Sequence, residues 1–316
     1  MTNRITYMLR GAATALALCA VATVSAQHSD VFPSTPNPVT PQSVHICGEK
    51  IDLDRLDMWE RYDRELTSMV YTHGNTLLTI KRANKYFPVM APILKKHGVP
   101  QDMLYLACIE SYLNPTARSS AGAAGIWQFM PSTAKQYGLE VNDYVDERYN
   151  IVKATTAACR YLKRSYNKFG NWSAVMAAYN GGDARISKEL ESQQVNRFFD
   201  LHLVEETLRY PFRVMAMKAI MENPRSFGFI LKDDQLYRMP KLKPVTVNSP
   251  VDDWAQWAKD NGTTYAQLRR DNPWIRAKSL PNKSKKTYTV LIPADSRSLS
   301  RKHIGTDTYS EKWTID

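Results

Sequence analysis

Apolar residues recur every three or four positions from Ile51 to about residue 235, and no stretch in that span alternates with the period of two that a half-buried strand requires. Asn75 suits the N-cap of a helix reaching Tyr86. Pro88 and Pro92 are expected to break or restart that helix before the pattern stops at Gly98. Pro100 and Pro115 bracket the run Leu104–Leu113, which reads as a short, largely buried helix. Pro131 opens a short helix ending at Gly138. Asn150 begins another, with Ile151, Ala154, Ala158, Cys159 and Leu162 on one face and Gly170 beyond its end. Trp172–Tyr179 makes a further helix, stopped by Gly181–Gly182, and a last apolar one runs from Pro211 to Met221. The pattern predicts an all-α domain over residues 51–238.

The character changes after Pro240. Lys243–Val247 and Thr287–Ile292 are rich in β-formers, and between them Val251–Asp260 and Thr264–Asp271 are helical by period. Thr264 and Gln267 have the spacing of a capping box. Residues 240–293 therefore read as a separate small α+β (βααβ) domain, and the chain as a whole as mainly α. The tail, 294–316, is polar and of mixed charge, and its pattern predicts neither order nor disorder.

At the other end, Arg4 and Arg10 precede an apolar stretch from Gly11 to about Val24, followed by the small residues Ser25 and Ala26. That is the design of a secretory signal peptide over 1–26, too short for a membrane span. Leu18 stands before Cys19 where a lipoprotein signal wants a small residue, which argues against lipidation. Residues 27–50, with Pro33, Pro36, Pro38 and Pro41, read as an extended linker. No later segment is long and apolar enough to span a bilayer, so the mature chain is expected to carry no transmembrane segment.

Composition narrows the chemistry. The 42 Lys and Arg against 31 Asp and Glu give a formal net charge of +11, two of the positive charges lying in the leader. An exported basic protein meets anionic wall polymer and membrane surface, but no Lys/Arg block has the density of a nucleic-acid tail, so no nucleic acid is expected as partner. Three cysteines remain after the leader, Cys47, Cys108 and Cys159, a number that cannot pair fully within one chain; Cys108 and Cys159 read as core residues. The six histidines are scattered. No residue is assigned as a metal ligand and no cofactor is implied. The oligomeric state is left unassigned.

Against this background Glu110 stands out as a single carboxylate in one of the most apolar runs of a polar chain. Burial removes hydration from the ionised form, favours the acid and raises the pKa toward neutrality. A proton donor usable near pH 7 is what glycosidic cleavage requires.

The residues around it carry a resemblance. Glu110–Ser111, the stretch Ala121–Ala134 with its Gly-Ile-Trp-Gln-Phe-Met-Pro core, Asp146–Arg148, and Ala178–Gly182 follow one another as in the lytic murein transglycosylases of the lysozyme-like superfamily, most closely those of the membrane-bound type D group. Glu206–Thr207 with Tyr210–Pro211 resembles a further stretch of that group. The resemblance implies a lysozyme-like all-α catalytic domain acting on peptidoglycan glycan strands. It implies that Glu110 protonates the bond between N-acetylmuramic acid and N-acetylglucosamine, then takes the proton of the muramoyl C6 hydroxyl as a 1,6-anhydro ring closes. Ser111, Gln128, Tyr179, Asn180 and Tyr210 are the implied substrate-binding residues. Trp127 and Met130 read as packing, Asp146 with Arg148 as a structural ion pair, and Glu206 as structural. Residues 245–293, with Asn272–Pro273–Trp274–Ile275 and Tyr288–Pro293, resemble a LysM domain. Val251–Trp254 there departs from the Gly-Asp-Thr-Leu entry to the first LysM helix, which counts against glycan binding more than against the fold. Trp254 and Trp257 read as core. The competing readings are a hydrolytic lysozyme of the same fold and a non-catalytic wall-binding protein.

Overall fold

The computed structural model describes residues 37–315; the leader read over 1–26 and the first part of the linker lie outside the described residues. A hairpin comes first, β1 (Ser43–Ile46) pairing antiparallel with β2 (Glu49–Asp52) through a turn in which Cys47 and Gly48 both take positive φ, 53° and 84°. Two successive left-handed residues are the geometry that a tight hairpin turn needs. This hairpin lies where the sequence pattern gave an extended linker running into a helix. Its strands are four residues long, too short for a period to register, and what holds it is tertiary. Ile46 and Ile51 are buried, and the Glu49 carboxylate accepts from the backbone N–H of Trp172 at 2.5 Å and from Ser173 Oγ at 3.0 Å.

Eight helices then build the main body: α1 (Leu56–Tyr71), α2 (His73–Lys96), α3 (Met103–Ser111), α4 (Pro131–Gln136), α5 (Ile151–Phe169), α6 (Trp172–Gly181), α7 (Asp183–Ser192) and α8 (Glu205–Glu222). Helix α8 is central, packing against α1, α3 and α6. Leu208, Tyr210, Phe212, Val214, Met215, Met217 and Ile220 bury it on nearly every side, which is why it shows little amphipathic pattern.

Two proline expectations are corrected. Helix α2 starts at His73, not at an Asn75 cap, and runs unbroken through Pro88 and Pro92; α8 starts six residues before Pro211 and runs through it. An interior proline costs a helix about 3 kcal/mol. Against the two in α2 stand Ile80, Phe87, Met90 and Leu94, none more than 1% exposed. Burying one such side chain contributes roughly 1.5–3 kcal/mol, so together they at least offset both prolines.

The C-terminal module has the expected order: β3 (Leu242–Val247), α9 (Trp254–Asp260), α10 (Tyr265–Asp271) and β4 (Tyr288–Pro293), with β3 and β4 antiparallel. Only half of the anticipated capping box forms. Thr264 Oγ1 accepts from the Gln267 N–H at 3.1 Å, while the Gln267 side chain bonds Asp271 instead. Trp254 is core, as read, and Trp257 packs its ring edge-on against it at 5.3 Å. The module's core continues into the main body through Ala124, Val145 and Tyr149. Val145 and Ile275 form an antiparallel bridge there.

The tail is ordered over the described residues. Trp313 is 2% exposed, its indole N–H donates to the Met221 carbonyl at 2.7 Å, and its ring meets Phe87 edge-on. Tyr309 N–H donates to Asn84 Oδ1 at 2.8 Å. The tail thus straps α2 to α8. Cys108 and Cys159 are buried in the main core and, like Cys47, unpaired. Among the described residues no helix is long and apolar enough to cross a membrane.

Candidate active site

Glu110 sits in the last turn of α3. The chain leaves that helix through Tyr112 and Leu113, at φ 50° and 54°, a costly pair of left-handed conformations for residues with side chains. Complete burial of Leu113 and a hydrogen bond from Arg82 Nη1 to the Tyr112 carbonyl (3.0 Å) hold them. The sharp exit ends the helix just past Glu110, which is half-buried there.

Tyr210, 2% exposed on α8, donates its hydroxyl hydrogen to Glu110 Oε1 in a short bond. Burial pushes the Glu110 pKa up to about 7. The Tyr210 hydrogen bond and the Arg213 guanidinium pull against that rise, and the Glu206 carboxylate adds to it. The phenols of Tyr210 and Tyr179 are both held well above 10, first by burial and next by the charge of Glu110, so both stay protonated donors.

Tyr179, on α6, donates to the Trp127 carbonyl at 2.7 Å and packs edge-on against Tyr161, with Phe129 alongside. Gln128 lies in the turn between α3 and α4, at φ 47°. Its amide nitrogen donates to the carbonyls of Gly125 (2.8 Å) and Ala117 (3.3 Å). Since both are acceptors, the nitrogen must face them, and the side-chain oxygen is left for the cavity that Gln128 lines. That cavity, about 450 Å³, is walled by Gln128, Phe129, Met130, Tyr137, Tyr161, Tyr179 and Asn180, with Arg164 at its rim. Flat apolar faces beside hydroxyls and amides suit a sugar ring, which presents C–H faces and hydroxyl edges.

The structure therefore brings Glu110, Tyr179 and Tyr210 together, and puts Gln128, Tyr179 and Asn180 on one cavity wall. Ser111 and Asn180 are also engaged within the protein, in contacts that tie the elements of the site together. Ser111 is 7% exposed and its hydroxyl donates to the Ile126 carbonyl at 2.9 Å, clipping the 118–130 loop to α3. Asn180 Oδ1 accepts from Thr207 Oγ1 at 2.9 Å, tying α6 to α8. Trp127 is wholly buried, as read, with its N–H on Thr155 Oγ1 at 2.9 Å; Met130, read as packing, is instead 41% exposed on the cavity wall. Its position beside Pro131 at the start of α4 turns it outward.

The acids nearest to Glu110 along the chain are engaged elsewhere. Asp102 bonds Lys218 and the Cys47 N–H, and Glu140 bonds Tyr288 and Lys286. Glu206, ninety-six residues along but one helical turn before Tyr210, is the acid within electrostatic reach of Glu110. Arg213 and Tyr161 were likewise missed. The spacing 206, 210, 213 along one helix face was the available signal for two of them.

The family description "Transglycosylase SLT domain" matches residues 89–200, and "Soluble lytic transglycosylase C-terminal LysM-like domain" matches residues 243–296. The membrane-bound lytic murein transglycosylase D of Escherichia coli strain K12 is 32% identical over 226 residues, 70% of this chain and 48% of that protein. The membrane-bound lytic murein transglycosylase C of Haemophilus ducreyi is 25% identical over 188 residues, 52% of this chain and 51% of that protein. The chain thus spans about half the length of the relatives it matches. Among solved structures, the 70 kDa soluble lytic transglycosylase from Escherichia coli superposes with a TM-score of 0.38 at 26% identity, over 43% of this chain and 24% of that one.

Proposed function

From a chain that carries a transglycosylase SLT domain and a LysM-like C-terminal domain, and is homologous to membrane-bound lytic murein transglycosylase D at 32% identity, we propose an exported peptidoglycan lytic transglycosylase that cuts muramoyl–glucosaminyl β-1,4 bonds without consuming water. One observation carries the reading: a carboxyl group, half-buried at the end of α3 and hydrogen-bonded by the Tyr210 phenol, with its pKa pushed up to about 7 by burial. A carboxyl group raised toward neutrality can serve as acid and, once deprotonated, as base, and the reaction uses it in both forms. As acid, Glu110 protonates the bridging oxygen and the glucosaminyl leaving group departs. The carboxylate so formed is stabilised by the Tyr210 hydroxyl. It then removes the C6 hydroxyl proton as that oxygen closes on the anomeric carbon, which returns the acid form for the next cycle.

Gln128 offers its free side-chain oxygen to a sugar amide or hydroxyl, and Tyr179 a face beside the cationic centre. Ser111 and Asn180 serve by fixing the loop and α6 around the substrate. Tyr210 serves through Glu110. Residues 1–26 direct export, residues 51–238 form the catalytic domain, 240–293 the LysM-like domain and 294–316 a strap.

Glu206 favours a second reading, hydrolysis, because a second carboxylate could orient water. Mass spectrometry of fragments released from purified sacculi separates the two. Fragments lighter by one water, with no reducing end, are expected; hydrated reducing ends would replace ring closure with hydrolysis. Sacculus binding with no release would sink both and leave a non-catalytic wall-binding protein.

A further inference from the structure

Three aromatic residues of the C-terminal module are turned inward. Trp254, Trp274 and Tyr288 are each no more than 4% exposed, and Trp274 stacks on Tyr288 at 5.6 Å on the side that meets the main body. The segment Trp274–Arg276 runs antiparallel to Tyr144–Asp146. Asp146 N–H donates to the Trp274 carbonyl at 2.9 Å, and Arg276 N–H donates to the Tyr144 carbonyl at 2.8 Å. The Arg276 guanidinium lies 4.7 Å over the Tyr149 ring, and Ile275 and Val145 are both buried between the two bodies.

What this short two-stranded contact fixes is Asp146, and Asp146 fixes Arg148. The pair is buried, with side chains 9% and 4% exposed, and bidentate at 2.9 and 2.7 Å. Arg148 Nη1 then donates to the carbonyls of Gly122 (2.8 Å) and Phe129 (3.0 Å), which lie on either side of Gln128 in the 118–130 loop. A desolvated guanidinium is costly unless its hydrogens are satisfied, so it selects the one loop geometry that places both carbonyls on it. The loop also touches directly. Gly125 lies so close to the Arg148 carbonyl that a Cβ there would stand 1.9 Å from the oxygen, and Ala124 is buried in the module's core.

We propose that the C-terminal module buttresses the substrate groove, its Trp274–Arg276 segment being a positioning element for Gln128 that acts through Asp146 and Arg148. The kinetic consequence rests on the function proposed above; the structural one does not. Loosening the junction lets the 118–130 loop sample other geometries and weakens substrate capture, while Glu110 on α3 and Tyr210 on α8 keep their relation.

The test uses the full chain with Ile275→Ala, with Ile275→Val as the conservative variant and Arg276→Ala as a surface change that spares the core. Amide hydrogen exchange is read first. Ile275→Ala is expected to accelerate exchange in 144–146 and also in 118–130, by on the order of tenfold or more, while α3 and α5 keep their protection. Arg276→Ala should do the same to a smaller degree, and Ile275→Val should restore the parental pattern. On solubilised wall strands KM should rise several-fold in Ile275→Ala, with the pH profile unmoved. Faster exchange in 144–146 and 272–276 with parental exchange in 118–130 would overturn the proposal, as would a parental KM in a junction already shown to be open. If the parental chain releases nothing from wall strands, the proposed activity fails while the exchange result still decides the buttress.

Discussion

Replacing Glu110 by Gln should make the protein more stable, by an amount that opens above about pH 4.5 and is complete near pH 7. The pKa of Glu110 rises from 4.5 to about 7 in the folded chain, burial being the main cause. A folded group that holds its proton more tightly than the unfolded chain contributes full stability below pH 4.5. That contribution falls as pH climbs and is gone above about 7, where the buried carboxylate must ionise. Each tenfold change in acid strength is about 1.4 kcal/mol, so the loss between 4.5 and about 7 is about 2–3.5 kcal/mol, the lower figure allowing for the partial exposure of Glu110. Glutamine is nearly isosteric, its oxygen still accepts from Tyr210, and it never ionises. Urea unfolding of parent and variant at a series of pH values from 4 to 8.5 measures the difference directly. The curves should run together at the acid end and separate by that amount at the alkaline end, with the variant above. Equal separation at all pH values would mean that Glu110 does not titrate near neutrality, and the acid/base assignment built on it would fall.

Three further outcomes follow from the same geometry. Tyr210→Phe removes the bond that favours ionised Glu110, so the alkaline limb of the pH–rate profile should move up by about one to two pH units, given about 1.5–3 kcal/mol for a hydrogen bond to a charged group; an unmoved limb would detach Tyr210 from Glu110. Gly125→Ala drives a Cβ into the Arg148 carbonyl at φ 79° and should lower stability by more than about 3 kcal/mol, read as a large fall in Tm. Trp313→Ala should cost about 3–5 kcal/mol, because that side chain is 2% exposed and its N–H is engaged with Met221; a loss under 1 kcal/mol would make the tail an ornament of the fold.

The helical body was legible because its elements are long and their apolar residues periodic. Helix α5 begins at its Asn150 cap, whose side chain accepts from the Lys153 N–H, and ends at Gly170 in the left-handed conformation. What escaped was held by contacts distant in sequence. Pro88 is a local signal to stop and Pro211 one to start, and both are overridden by cores assembled from other segments. The hairpin at 43–52 depends on Glu49 capping a helix more than a hundred residues away, and the tail on Phe87 and Met221. No window of local pattern contains those partners.

The site divides along the same line. Glu110 could be singled out because an acid in an apolar run is a local anomaly, and the physics of burial fixes the sign of its shift. Its neighbours are chosen by where α8 crosses α3. That crossing supplies Tyr210 to hold the carboxylate, and one turn earlier it supplies Glu206, which a search along the chain around Glu110 passes over. Glu206 is exposed and in the first turn of its helix, where a negative charge is favoured by the helix dipole and by water. Its effect on Glu110 is to oppose a second negative charge nearby, which keeps the proton on Glu110. A second carboxylate therefore need not be a nucleophile or a base to matter: here it helps hold the acid in its donating form. Ring closure and hydrolysis then differ in which hydroxyl Glu110 deprotonates, that of C6 or that of a water, and the mass of the released fragment reports which.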